Sequence, residues 1–248
     1  MSKEIHVRED EKLDELFNGR LRIIQKKEGY RFSIDAILLA HFSSLLLADS
    51  IMDLGTGSGI IPLILARKTS ASTIVGVEVQ EAMADMAERT ILLNGLADRV
   101  SILHEDLRSL RSRFTASSFD LVVSNPPYYP LGEGRINPGE EKAIARHEIM
   151  AKAEDVIAIS HYLVRPSGFV IIIFPARRMA DLLVSIRESG LEPKLLRIIY
   201  SHKHDEAKLV VVESIKSGNP DIEIKRPFFI YADGGGYSED MQTIYDDI

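Results

Sequence analysis

Asn125-Pro126-Pro127-Tyr128 is the stretch of this sequence whose residue types could do chemistry. The two prolines remove backbone donors, so the carbonyl groups beside them can accept hydrogen bonds from a ligand rather than from a sheet neighbour. Asn125 adds a side-chain oxygen and Tyr128 adds a flat ring face. These groups could hold a planar nitrogen attached to a ring. Alone, the same tetrapeptide is also ordinary turn chemistry.

A glycine-rich turn opens a predicted helix earlier in the chain, at Asp53-Leu54-Gly55-Thr56-Gly57-Ser58-Gly59. Its glycines allow a tight turn and a close approach of a ligand to the backbone. Asp53 would repel a diphosphate but attract a cation, and Glu78, which ends the next predicted strand, could accept both hydroxyls of a ribose. This pattern favours a positively charged nucleoside such as S-adenosylmethionine over a dinucleotide.

Short β-rich runs that alternate with helix-length segments must position both motifs. We predict strands at 51–54, 73–78, 100–104, 119–124, 169–174, 195–200 and 208–213, and helices at 34–47, 60–68, 80–94, 151–164 and 177–189. The last two strands are separated by too few residues for a parallel crossover, so this pair should be antiparallel. The predicted fold class is therefore α/β, a doubly wound, mostly parallel seven-stranded sheet with an antiparallel last strand.

Composition narrows the classes of protein. The 248 residues, 45% of them hydrophobic, suit one globular domain with a small addition. The absence of cysteine excludes disulfides, thiolate metal sites and a cysteine nucleophile, and His202 with His204 lacks a third ligand, so we predict no metal. No apolar run reaches the roughly 18 residues of a membrane span and no secretory signal is visible, so we expect a cytoplasmic protein without a membrane partner.

Charge is unevenly distributed along the chain. The net charge is −7, and residues 231–248 contain five acidic residues and no Lys or Arg. Residues 20–31 are basic by contrast and could form a basic face, although a solvated surface explains such a cluster more simply. We divide the chain into an N-terminal extension and helix that cover the cofactor site (1–48), a catalytic domain (49–215) and an acidic tail packed on that domain (216–248).

Residues 53–59 resemble the first motif of the class I S-adenosylmethionine-dependent methyltransferases over all seven positions. The resemblance implies a Rossmann-like fold and S-adenosyl-L-methionine as cofactor, with S-adenosyl-L-homocysteine as product. It also implies that Glu78 holds the ribose and that Asp106 accepts from the adenine amino group, although a helix or turn cap would explain Asp106 as well. The cofactor-binding residues implied in this way are Asp53, Gly55, Thr56, Gly57, Gly59, Glu78, Asp106, Leu107 and Asn125.

The Asn-Pro-Pro-Tyr stretch, placed after the fourth strand of this alternation, resembles the signature of methyltransferases that act on exocyclic or amide nitrogens. The resemblance implies that the Asn125 side-chain oxygen and the Pro126 carbonyl hold the two hydrogens of the acceptor nitrogen. Those bonds would draw the nitrogen toward tetrahedral geometry and aim its lone pair at the methyl group. Tyr128 would stack on a base extruded from its own stack.

Flanking segments resemble the tRNA1(Val) adenine N6-methyltransferase family, in particular residues 30–40, 134–138 and 145–148. This resemblance implies that Phe32 and Asp35 lie over the methionine end of the cofactor; otherwise Phe32 is a core aromatic and Asp35 a first-turn helix acid. Residues 129–148 would form a lid over the substrate or a disordered excursion. The implied substrate-binding residues are Pro127, Tyr129, Arg146 and His147.

The predicted reaction is transfer of a methyl group from S-adenosylmethionine to N6 of an adenosine next to the anticodon of a valine tRNA. Three alternatives stay open. They are N5-methylation of a glutamine in a protein such as a release factor, N2-methylation of guanine in rRNA, and a non-catalytic S-adenosylmethionine-binding module. RNA, and specifically tRNA, is the expected partner. The sequence leaves the oligomeric state open.

Overall fold

A computed structural model describes residues 6–28, 32–126 and 153–247 of the protein. The described α-helices are α1 (Ile34–Ser44), α2 (Ile60–Lys68), α3 (Glu81–Leu93), α4 (Ala153–Leu163), α5 (Met179–Glu188) and α6 (Glu239–Asp246). Two short 3-10 helices span Leu107–Ser112 and Ala176–Arg178. The described strands are β1 (Glu11–Leu16), β2 (Leu21–Lys26), β3 (Ser50–Leu54), β4 (Thr73–Glu78), β5 (Val100–His104), β6 (Phe119–Ser124), β7 (Val164–Pro175), β8 (Leu191–Tyr200), β9 (Ala207–Lys216), β10 (Glu223–Ile224) and β11 (Phe228–Phe229).

The central sheet has the strand order β10-β8-β9-β7-β6-β3-β4-β5, and β11 also pairs with β8. Strands β7, β6, β3, β4 and β5 pair in parallel. Strand β9 is antiparallel to both β7 and β8. The predicted fold class is confirmed, including the antiparallel last strand. The two-residue strands β10 and β11, which the sequence did not predict, extend the sheet beyond β8 in parallel.

Helices cover both faces of this sheet, which explains why its strands are continuous apolar runs. In β6, Leu121 and Val123 pack in the cluster that contains α1 and α2. The intervening Val122 packs in the cluster that contains α4 and α5. Side chains of a strand alternate between faces, so Asp53 shares the α1 and α2 face with Ile51. No helix in the described part of the chain is long and apolar enough to cross a membrane.

The predicted elements agree with the observed ones to within a few residues at most ends. Helix α2 begins and ends as predicted, whereas α1 ends at Ser44, three residues early, and leaves Leu47 97% exposed. Strand β7 begins at Val164, five residues before the predicted start. A bulge between its pairings Phe119↔Val164 and Leu121↔Phe169 absorbs the extra length.

An N-terminal hairpin, β1 and β2, was not predicted. Its first strand lacks the alternation of a sheet that packs on a core, because Glu11 is buried while Leu13, on the same face of the strand, is 42% exposed. The sequence signal that could have identified it is Asn18-Gly19, a dipeptide typical of hairpin turns, and both residues have positive φ. The hairpin lies on α3, where the Ile24 amide donates to the Thr90 hydroxyl at 3.1 Å.

The end of helix α6 packs at the edge of the sheet opposite the turn 53–59. Met241 and Ile244 of α6 are buried, and Asp247 pairs with Lys68, the last residue of α2. The Tyr245 ring contacts Phe17 of the hairpin turn, with 5.2 Å between ring centroids. These contacts are those of a packed tail, while the boundaries 1–48, 49–215 and 216–248 stay a prediction.

The hairpin depends on one buried ion pair with α3. Arg89 donates to both carboxylate oxygens of Glu11 at 2.7 Å, and the Glu11 side chain is fully buried. Burial disfavours the charged form of Glu11, but the hydrogen bonds from Arg89 and from the Arg8 amide outweigh it and lower the pKa of this carboxyl.

We expect Arg89→Ala to lower the free energy of unfolding by about 3 kcal/mol, because the buried carboxylate loses its two short bonds to a cation and keeps only the Arg8 amide and Lys26 at 3.9 Å. Denaturant unfolding measures the change. The control is Lys225→Ala, which breaks the largely exposed pair with Glu223 and should cost less than about 1 kcal/mol. Equal effects of the two substitutions would contradict the importance of the buried pair.

Candidate active site

The turn after β3 is built by left-handed glycines. Gly55, Gly57 and Gly59 have φ values of 78°, 58° and 81°, a region that other residues rarely adopt. The amides of Gly55 and Thr56 both donate to the Val77 carbonyl at 2.9 Å, which ties the turn to β4. Gly59 begins α2, and a Cβ there would lie 3.0 Å from Ala87 Cβ. The turn is thus pressed between β4 and α3, with its backbone fixed before any ligand binds.

Glu78, the last residue of β4, is bound by this turn. Its two carboxylate oxygens accept from the amides of Gly57 and Gln80, each at 2.9 Å. The side chain is buried, with 6% exposure of the residue. The carboxylate is therefore held rigidly, and each oxygen keeps a second lone pair with which a ribose hydroxyl could bond.

Asp53 is a fully buried carboxyl group for which no described residue provides a hydrogen bond. Burial raises the pKa of Asp53 to about 7. The Thr56 hydroxyl opposes this rise without meeting the geometry of a hydrogen bond, and the Glu78 carboxylate adds to it. A buried acid without a partner is costly for the fold and is typical of a binding site. A cationic ligand would remove that cost.

Asn125 and Pro126 follow β6 and lie beside this turn. Strands β3 and β6 are neighbours in parallel register, and the Ser124 hydroxyl donates to the Leu54 carbonyl at 2.8 Å. The Asn125 amide donates to Asp35 Oδ2 in a long hydrogen bond of 3.4 Å. The structure thus brings Asn125, which is predicted to hold the nitrogen that receives the methyl group, to the same edge as the predicted cofactor residues. Open α/β sheets bind ligands at this edge.

Asp35 occupies the first turn of α1 and is buried. The family resemblance implied that Asp35 lies at the methionine end of the cofactor, and the alternative was an acid in the first turn of a helix. In the structure Asp35 is in the first turn of α1 and also contacts Asn125. Phe32 packs partly buried against the core cluster of α1 and α2, which agrees with the alternative of a core aromatic. Its amide donates to Gln25 of the hairpin at 3.2 Å.

Asp106 caps the short helix Leu107–Ser112. A cap was the alternative role that the sequence analysis gave for this residue. Its carboxylate accepts from the Arg108 amide at 2.9 Å and from the Arg108 guanidinium. The Arg108 side chain lowers the pKa of Asp106. Leu107 packs against the cluster of α4 and α5. Contacts of Asp106 and Leu107 with adenine stay predictions.

Several predicted site residues lie outside the described residues, namely Pro127, Tyr128, Tyr129, Arg146 and His147, together with the lid at 129–148. Their roles stay predictions. Among the residues that are described, no group of three or more His, Asp or Glu side chains could hold a metal ion. His202 lies in an exposed turn beside Asp205.

Two residues of the site were not singled out from the sequence. The Ser58 hydroxyl is buried in the turn without a hydrogen bond from any described residue. Gly76 in β4 allows Thr56 to pack closely, because a Cβ there would lie 2.9 Å from Thr56 Oγ1. A lone glycine inside a predicted strand signals such a close approach, and it was present in the sequence.

A family model for the methyltransferase small domain matches residues 34–160, a range that includes α1, the turn 53–59 and Asn125. The chain belongs to this family. A tRNA1(Val) (adenine(37)-N6)-methyltransferase of Porphyromonas gingivalis is 30% identical over 78% of this chain and 78% of its own length. A protein of the same name from a Flavobacteriaceae bacterium is 25% identical over 85% of this chain and 87% of its own length.

Solved methyltransferase structures share the fold. A predicted O-methyltransferase from Agrobacterium tumefaciens superposes with a TM-score of 0.67 at 21% identity, over 86% of this chain and 96% of its own. The 16S rRNA N2 G1207 methyltransferase of T. thermophilus, solved with AdoMet and guanosine, gives 0.58 at 17% identity, over 83% of this chain and 50% of its own.

This methyltransferase uses S-adenosyl-L-methionine as its cofactor, and the described residues fit it. The Asp53 carboxyl, which accepts no hydrogen bond from the described residues, suits a ligand with an ammonium and a sulfonium, and the fixed Glu78 carboxylate suits a ribose. With Asp35, three buried acids surround the site. Such a set repels a diphosphate, so the expectation that a dinucleotide is excluded has a physical basis.

We expect Asp53→Asn to weaken binding of S-adenosylmethionine at least about tenfold, because an amide carries no charge to offset that of the cofactor. It should also change how stability depends on pH. The folded pKa lies above the ordinary 3.8, so the folded state holds the proton more tightly, and the wild type loses stability as pH rises from about 4 to about 7. The variant should lack this loss.

Calorimetric titration and thermal melting without cofactor, from pH 4 to pH 8, measure the two effects. The control is Glu213→Gln on β9, another acid whose pKa is raised by burial but which lies away from the site. It should also relieve a loss of stability with rising pH while cofactor affinity is unchanged. Equal cofactor affinities of wild type and Asp53→Asn would refute the assignment of Asp53.

Proposed function

We propose that this enzyme transfers the methyl group of S-adenosylmethionine to N6 of adenosine 37 in tRNA1(Val). The observation that carries the proposal is the position of Asn125, hydrogen-bonded to Asp35 at the edge of the sheet that also holds Asp53 and Glu78. The names of the relatives supply the substrate, since both compared proteins act on adenine 37 of this tRNA.

An exocyclic amine is a poor nucleophile, because its lone pair is delocalised into the ring. The side-chain oxygen of Asn125 and the carbonyl of Pro126 would accept its two hydrogens and draw the nitrogen out of the ring plane. When bound, S-adenosylmethionine supplies a methyl group activated by an adjacent sulfonium. The methylated nitrogen is acidic and releases its proton to water, so no strong base is needed at Asn125.

Asp35 supports this role by orienting the Asn125 amide. Because the NH₂ group of Asn125 points to Asp35 Oδ2, the carbonyl oxygen of the amide is turned away from that carboxylate. A flipped amide would set two oxygens against each other. The contact joins α1 to the end of β6, so the acceptor residue is held from both sides of the site.

We expect Asn125→Ala to lower kcat for tRNA about 100-fold or more, because a group that acts mainly in the transition state is lost. S-adenosylmethionine affinity should remain within a few-fold of wild type. Transfer of label from S-adenosylmethionine to unmodified tRNA measures activity, and nucleoside digestion identifies N6-methyladenosine. The control is Asn219→Ala, an exposed asparagine in the segment before β10, which should keep full activity.

The same assay with a release factor and with rRNA separates the alternatives. Label in the release factor, or N2-methylguanosine in rRNA, would replace tRNA as substrate, and label in none of them would indicate a binding module. Full activity of Asn125→Ala on tRNA would overturn the mechanism.

A further inference from the structure

Resting on the proposed function, we propose that the far end of the carboxyl edge of the sheet binds unpaired nucleotides of the RNA that flank the target adenine. This surface, here the edge platform, consists of Arg177, His202, Lys203, Lys208 and Tyr231. It combines a stacked ring with exposed cations, and this is the chemistry that recognises single-stranded RNA.

The topology places the platform at the same edge as Asn125. Strand β8 is antiparallel to β9, which is antiparallel to β7, so β8 ends at the edge where β6 ends. Strand β11 pairs in parallel with the end of β8, through Phe229↔Tyr200. The residues that follow are joined as well, because the Tyr231 amide donates to the Ser201 carbonyl at 2.9 Å.

The rings of the platform are already stacked. His202 and Tyr231 lie 5.2 Å apart at 29°, and Tyr231 and Tyr237 lie 5.8 Å apart at 14°. His202 ends this stack, because Tyr231 is its only ring partner among the described residues, and its side chain is 49% exposed. Asp205 Oδ2 lies 3.1 Å from His202 Nδ1 and restrains the ring. A base leaving its own stack could continue this one at little conformational cost.

Cations line the same edge. Arg177 follows β7, Lys203 lies in the turn after β8, and Lys208 begins β9; all three are exposed. Neither Arg177 nor Lys203 forms a hydrogen bond or an ion pair with any residue that the structure describes. Their charges are available to phosphates.

The cations of residues 20–31, the basic stretch noted in the sequence, differ from those of the edge platform in their bonding. Its described cations bond within the protein: Arg20 to the Asp246 carbonyl, Arg22 to the Leu93 carbonyl, Lys26 to Asp10 and Lys27 to the Glu9 carbonyl. Arg22 also lies at the C-terminal end of α3, at the edge opposite Asn125. The basic face that the sequence allowed stays a prediction, and the edge platform supplies exposed cations at the edge where Asn125 lies.

The distance between the edge platform and Asn125 suits a short stretch of single-stranded RNA. Three strand spacings, from β6 through β7 and β9 to β8, separate the platform from Asn125, or about 14 Å at roughly 4.8 Å each. That span fits a few nucleotides on one side of an extruded base. An anticodon loop offers such unpaired nucleotides on both sides of position 37.

The test is binding of a fluorescently labelled valine anticodon stem-loop by the full chain with S-adenosylhomocysteine present, measured by anisotropy. We expect His202→Ala to weaken binding about tenfold, because one stacking contact is lost, and His202→Phe to restore it. Arg177→Glu with Lys203→Glu should weaken binding and lower the slope of log affinity against log salt by about 1.5, as expected for two lost phosphate contacts.

The control is Arg67→Glu, an exposed cation in the last turn of α2 at the opposite edge, which should bind as the wild type does. Thermal melting confirms that each variant folds. Unchanged RNA affinity in both platform variants overturns the platform, even if the wild type methylates tRNA. A wild type that binds the stem-loop through the platform but does not methylate it overturns the proposed function alone. No binding by the wild type overturns both.

Discussion

The parallel pairing of β3 with β6 is the constraint on which the active site depends. The two strands pair in register from Ile51↔Leu121 to Leu54↔Ser124, so they end side by side. At the last of these pairs the buried Ser124 hydroxyl donates to the Leu54 carbonyl. Because the side-chain period of a strand is two, a slip of one residue would turn Asp53 or Asn125 to the wrong face. Strand β3 thus leads directly into the glycine-rich turn 53–59, and its neighbour β6 leads directly into Asn125. No further loop is needed to bring the turn and Asn125 together.

At this edge of the sheet, acidic side chains are buried and basic side chains are exposed. The acids Asp35, Asp53 and Glu78 are buried where we predict the cofactor site, and a cationic cofactor would offset their mutual repulsion. The exposed cations Arg177 and Lys203 lie further along the edge, at the ends of β7 and β8. Under the proposed function, a polyanionic substrate would be attracted to the rim of a negatively charged site, so the net charge of −7 does not oppose an RNA substrate.

The sequence predicted well those elements that the core alone determines. Strand β3 and helix α2 are mostly buried apolar runs that flank the glycine-rich turn, so the hydrophobic periodicity and the turn residues predicted the same boundaries. The hairpin could not be identified from hydrophobic pattern, because its buried residues include Glu11 and Gln25. The partner of Glu11, Arg89, lies in α3, and Gln25 bonds to Asp14 across the hairpin.

The contact between Asn125 and Asp35 spans 90 residues and follows from tertiary packing alone. Asp106 illustrates a different limit, because a cap and a ligand contact require the same residue type at the same place. The sequence could thus predict which residues reach the site but not how they bond to each other there.

The tie between the hairpin turn and α6 also bears on how the chain folds during synthesis. Arg20 and its acceptor at Asp246 are separated by 226 residues, which a ribosome adds in roughly 10 to 45 s at about 5 to 20 residues per second. Phe17 holds a left-handed φ of 53° in this turn, and its ring packs against Tyr245. A nascent chain can pair β3 with β6 well before Tyr245 emerges. The packing of the hairpin turn against α6 can therefore be completed only after this pairing of the sheet has become possible.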